Sequence, residues 1–166
     1  GVSGATMLKS GDTPYWEQPE FQQVLDFNPD VVIIKLGTND SKPMNWANRD
    51  EFIPDYRDMI RRFKDLPSNP RLWACYPVPA FEVRWGIENH VITGEVIPRI
   101  RNAARAEGVP VINLYALMEN QGKFFPDKIH PNVEGARKMA EQIYETLTGE
   151  TYAAEDKVPS VQALAW

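Results

Sequence analysis

The chain has 166 residues, 43% hydrophobic and 25% charged, which suits one folded domain with a real core. Its net charge of -5 removes the basic face that nucleic acid or an anionic membrane surface requires, so neither is expected as a partner. No apolar run approaches the roughly 18 residues of a membrane span. The single cysteine, Cys75, cannot form an intrachain disulfide, and its apolar neighbours read it as a small buried hydrophobe.

In chain order, a helix is predicted over about Pro19 to Phe27, closed by the turn Asn28-Pro29-Asp30. Val31-Val32-Ile33-Ile34-Lys35-Leu36 is a short, nearly continuous apolar run rich in β-branched residues, the pattern of a strand buried on both faces. The loop Gly37-Thr38-Asn39-Asp40 follows it directly. A helix is predicted from Arg49 to Lys64, with Phe52, Tyr56, Met59, Ile60 and Phe63 at helical spacing and Pro67 and Pro70 beyond its end. Arg71 to Tyr76 reads as a strand and Pro77 to Trp85 as a loop. Asn89 to Glu107 reads as a helix bent or broken at Pro98 and ended by Gly108. Val109 to Leu114 is a third strand with a helical turn after it. Asn132 is expected to cap a last helix reaching Leu147, with Gly149 just past its end. Residues 1–149 form the expected domain and 150–166 a tail or linker.

Strands alternating with helices mean βα units and a mainly parallel sheet covered on both sides. Ligands of such sheets bind at the carboxyl ends of the strands. The loops after Leu36 and Tyr76 both open onto that edge.

Two segments carry chemistry. Asp127-Lys128-Ile129-His130-Pro131 places a carboxylate three residues before a histidine, close enough for one short loop to deliver a base and the acid that orients it. The alternative is a solvated loop histidine near an acid. Asn39 could aim a side-chain N–H at the oxyanion of a tetrahedral intermediate, or could simply form a turn. Gly4 offers a backbone N–H with no side chain in the way, or is a plain turn glycine.

Together, Gly1-Val2-Ser3-Gly4-Ala5-Thr6, Gly37-Thr38-Asn39-Asp40 and Asp127-Lys128-Ile129-His130-Pro131 resemble, in order, three motif blocks of the SGNH (GDSL-type) serine hydrolases. The resemblance implies a three-layer α/β/α fold and ester hydrolysis through a serine acyl-enzyme, without metal or other cofactor. It gives Asp127 and His130 the roles of acid and base, and Gly4 and Asn39 those of oxyanion donors. The stretch from Gly1 to Trp16 and the loop Ser41 to Trp46 are more specifically similar to bacterial carbohydrate O-acetylesterases and sialate O-acetylesterase-like members. That narrower likeness makes Trp16, Trp46 and Trp85 candidates to line a sugar-binding cleft, with structural packing as the alternative for each.

One block has no counterpart. Members carry Gly-Asp-Ser after an N-terminal strand, and none of Ser3, Ser10, Ser41, Ser68 or Ser160 stands in that setting. Gly1-Val2-Ser3-Gly4-Ala5 loosely resembles a nucleophile elbow but has no strand in front of it. The expectation is therefore a domain lacking its first strand and its nucleophile. As it stands, the segment is expected to fold poorly, leave an apolar groove open and be inactive, with the missing N-terminal piece as a partner. The expected function is deacetylation of a carbohydrate ester, which would place the protein in the periplasm or outside the cell. A lipid esterase or thioesterase of the same fold, and an inactive carbohydrate-binding module, are the alternatives.

Overall fold

A computed structural model describes residues 1–153. After an irregular N-terminal stretch come α1 (Pro19–Phe27), β1 (Val31–Ile34), the short helix α2 (Pro43–Trp46) and α3 (Phe52–Lys64). β2 (Arg71–Cys75) follows, then α4 (Asn89–Val91), a π-helical turn (Ile92–Val96), α5 (Ile97–Ala106), β3 (Val111–Ile112), α6 (Leu114–Met118) and α7 (Val133–Thr148). The strands form a parallel sheet in the order β1-β2-β3.

Because side chains alternate across a strand, the two faces of the sheet build separate cores. Val32 and Ile34 of β1 and Leu72 and Ala74 of β2 pack with Phe52, Tyr56, Met59, Ile60 and Phe63 of α3 and with Ile97 and Ile100 of α5. Trp73 and Cys75 point the other way, onto Leu114 and Met118 of α6 and Met139 of α7. Helix, sheet and helix make three layers. Cys75 is fully buried, and burial raises its thiol pKa to about 11, so it is an unreactive core residue. Among the described residues no helix is long and apolar enough to cross a membrane.

Element boundaries differ from the sequence reading for local reasons. β3 covers two residues rather than six, because Asn113 turns to cap α6, its side chain accepting from the Ala116 N–H. The helical run from Asn89 is not broken at Pro98. It widens into the π turn before that proline, which has no N–H to give the Gly94 carbonyl and whose ring would strike it in a regular helix. The expected cap at Asn132 is present, accepting from Gly135 N–H at 2.9 Å, and Gly149 closes α7 in the left-handed region.

β1 pairs with β2 on one side; among the described residues no strand pairs with its other edge. A groove of about 390 Å³ runs along that edge, lined by apolar residues including Val24, Val31, Ile33, Met59 and Phe63. Lys35, just past the end of β1, lines both this groove and the cleft beyond the carboxyl ends of the strands.

Candidate active site

That cleft, of about 240 Å³, is lined by Gly4, Asn39 and His130. Three segments far apart in sequence therefore meet at one place, and Asp127 stands behind His130. The loop after Phe125 is fixed by its own carboxylate: Asp127 Oδ1 accepts from the backbone N–H of Ile129 at 3.0 Å and of His130 at 2.7 Å. Lys128 adopts a φ of 71° to let the chain fold back. The other oxygen, Oδ2, lies 2.7 Å from His130 Nδ1. The His130 N–H, its ring and the Ile129 N–H, in that order, hold the Asp127 carboxyl well below its ordinary range. A carboxylate that stays ionised fixes the proton on Nδ1 and leaves Nε2 free as a base.

On the opposite wall, the Asn39 side chain donates to the Ala5 carbonyl at 3.2 Å through Nδ2. An amide nitrogen has two hydrogens, so this contact orients the group and leaves one hydrogen for an incoming oxygen. Gly4 sits at φ 80°, a conformation that glycine adopts without steric cost. Asp40 ties the Asn39 loop to the N-terminal stretch that carries Gly4. It is fully buried and accepts from Met7 N–H at 3.0 Å and Leu8 N–H at 2.8 Å. Burial nevertheless raises its pKa to about 6, the two N–H groups opposing that shift. Asn45 adds a further brace, donating to the Asn39 carbonyl at 2.9 Å and to Asp12 at 3.0 Å. Neither Asp40 nor Asn45 stands out in the sequence, because Met7, Leu8 and Asp12, which they hold, lie more than thirty residues upstream, beyond any local pattern.

The three tryptophans separate. Trp85 is 59% exposed and its ring centroid lies 5.6 Å from that of His130. Trp46 is buried against Phe52, its indole N–H donating to Glu95 at 2.9 Å. Trp16 donates to the Met7 carbonyl at 2.8 Å and packs edge-on against Phe21. None of the three is among the residues that line the cleft; Trp85 stands beside it, against His130. Ser3 does line it, and no hydrogen bond joins its hydroxyl to His130. The Ser41 hydroxyl is buried and donates to the Thr38 carbonyl. Among the described residues no group of three or more His, Cys, Asp or Glu side chains is placed to hold a metal ion.

Comparisons with known proteins identify the family. The chain is 45% identical over 161 residues to an acetylxylan esterase of Xylanibacter ruminicola, an alignment covering 86% of this chain and 34% of that protein. The chain thus spans about a third of that relative's length. Its fold matches the crystal structure of the acetyl xylan esterase AlAXEase with a TM-score of 0.68 at 22% identity, covering 89% of this chain and 78% of the other. A GDSL-like lipase of Bacteroides thetaiotaomicron matches with a TM-score of 0.62 at 25% identity, covering 76% and 65%. Residues 1–138 match the GDSL-like lipase/acylhydrolase family, and the chain belongs to it.

Proposed function

We propose that this domain supplies the base, the acid and two oxyanion donors of a serine esterase that removes an acetyl or other short acyl group from a carbohydrate. The observation that carries the reading is the meeting of Gly4, Asn39 and the Asp127–His130 pair on one cleft. The nucleophilic serine would come on a strand seated along the open edge of β1, whose groove leads to the cleft at Lys35.

In that arrangement the serine Oγ bonds to the ester carbonyl carbon, and its proton passes to His130 Nε2. The carbonyl oxygen becomes an oxyanion held by Gly4 N–H and the free Asn39 N–H. Collapse breaks the bond to the alcohol oxygen, which leaves with the proton from His130. Water then attacks the acyl-serine with His130 again as base, releasing the acid and restoring the serine. Asp127 keeps the imidazole in one tautomer and stabilises its protonated form.

The carbohydrate assignment rests on the relative named for acetylxylan and on Trp85, an exposed aromatic face beside the base. The test is to join the chain to a strand carrying Gly-Asp-Ser and compare substrates. Release of acetate from acetylated xylan, abolished by His130→Ala, supports the proposal. Preference for long-chain acyl esters would point to a lipid esterase, and sugar binding without turnover would leave a binding module.

A further inference from the structure

Trp85 sits at the tip of a two-residue hairpin. Arg84 and Ile87 exchange backbone hydrogen bonds of 3.3 and 2.8 Å, and Trp85 and Gly86 between them have φ of 51° and 77°. Both central residues are left-handed, which a bulky residue such as tryptophan adopts only at a cost. A Cβ on Gly86 would lie 2.9 Å from Pro43 Cδ, so the tip is pressed against the start of α2. Beyond the tip the chain alternates. Ile87 lines the catalytic cleft, whereas Gly86 and Glu88 line a second pocket of about 270 Å³.

That pocket has no lining residue in common with the cleft, although Gly86 and Glu88 flank Ile87 in the chain, and it is built differently. An edge of Trp46, Pro43 and Val91 give it apolar walls, and Arg49, Glu88 and His90 stand around it. Arg49 is half exposed and its ion pair with Glu95 is long, at 3.8 Å, which leaves guanidinium hydrogens to donate. Glu88 and His90 pair at 3.1 Å and remain open to solvent. The π turn begins directly after Val91, a distortion common beside functional sites. It carries Glu95, which holds the indole of Trp46. Asn89 anchors the other side of His90, accepting from Ala80 N–H at 3.1 Å and donating to the Tyr115 hydroxyl at 2.8 Å.

We infer that this second pocket takes a neutral sugar ring next to the acylated one, so that a polysaccharide crosses Trp85 with one unit in the catalytic cleft and its neighbour against Arg49, Glu88 and His90. Apolar walls with a donor and an acceptor at the rim suit the ring face and hydroxyls of a pyranose. The opposite charges of Arg49 and Glu88 favour no net charge on the ligand. The inference rests on the esterase reading and narrows its substrate from any sugar ester to a polymer.

The test titrates the chain with xylose and with xylotetraose, following tryptophan fluorescence. Xylotetraose is expected to bind about tenfold more tightly or better. Arg49→Ala and His90→Ala, both at exposed positions, are each expected to remove that advantage. Equal affinities for the two sugars, no binding of either, or variants that keep the full advantage would overturn the proposal. Hydrolysis of 4-nitrophenyl acetate by the chain joined to a Gly-Asp-Ser strand separates the two readings, because that ester does not span two sugar sites. Hydrolysis without a chain-length effect overturns the second pocket alone. A lack of hydrolysis overturns the esterase itself.

Discussion

Asp40→Asn isolates the buried carboxylate that joins the Asn39 loop to the N-terminal stretch carrying Gly4. In the folded protein burial lifts Asp40 from an ordinary 3.8 to about 6, so at neutral pH it is an ionised group held where the charge is disfavoured. Between those values the folded chain holds a proton that the unfolded chain has released, so stability rises as pH falls. Taking 6 for the folded state and 3.8 for the unfolded, the rise between pH 7 and pH 4.5 is about 2 kcal/mol, complete only below the unfolded value. Asparagine cannot titrate, and its side chain has one acceptor oxygen for two facing N–H groups. The variant therefore loses one backbone contact and all of this pH dependence. Urea unfolding of both proteins at the two pH values measures the difference, and the other carboxylates cancel in the comparison. Wild type should gain about 2 kcal/mol relative to the variant on acidification. Parallel behaviour of the two proteins would refute the reasoning, and relative loss by the wild type would mean that the Met7 and Leu8 N–H groups outweigh burial.

In the protein joined to its strand, Asn39→Ala should lower kcat by about 100-fold to 1,000-fold with little change in KM, because one donor to the oxyanion is lost. Equal kcat would remove Asn39 from the oxyanion site. Asp127→Asn should lower kcat on the order of 10,000-fold through the wrong imidazole tautomer, again measured on aryl acetates. Gly86→Ala should destabilise the fold by about 1 to 2 kcal/mol in urea, since the added carbon meets the Pro43 ring at 2.9 Å and φ is positive. Ser3→Ala should leave turnover within about twofold if the nucleophile lies on the added strand, since an acyl-enzyme cannot form without its own serine.

How much of this was legible in the sequence depended on range. β1, α3 and α7 carry periodicity and end signals within their own residues, and the structure places them close to where the pattern does. The Asp127–His130 pair is also local, three residues on one loop. The meeting of Gly4 and Asn39 with that loop followed from motif order, whereas the bonds that hold them in place did not. Asp40 looks like any turn carboxylate until Met7 and Leu8 are brought to it across the fold. The tryptophans show the same limit. Composition cannot say that Glu95 and Phe52 draw Trp46 into the core while a left-handed turn pushes Trp85 out beside His130. The π turn is legible only in hindsight, from Gly94 standing four residues before Pro98.

The central claim is that the cleft awaits a serine delivered along the open edge of β1. It is tested most directly by measuring acetate release from 4-nitrophenyl acetate by the chain alone and by the chain joined to a strand ending in Gly-Asp-Ser. The account predicts no release above buffer for the chain alone, and turnover for the joined protein that His130→Ala abolishes. Turnover by the chain alone that depends on His130 and is lost in Ser3→Ala would contradict it and make Ser3 the nucleophile.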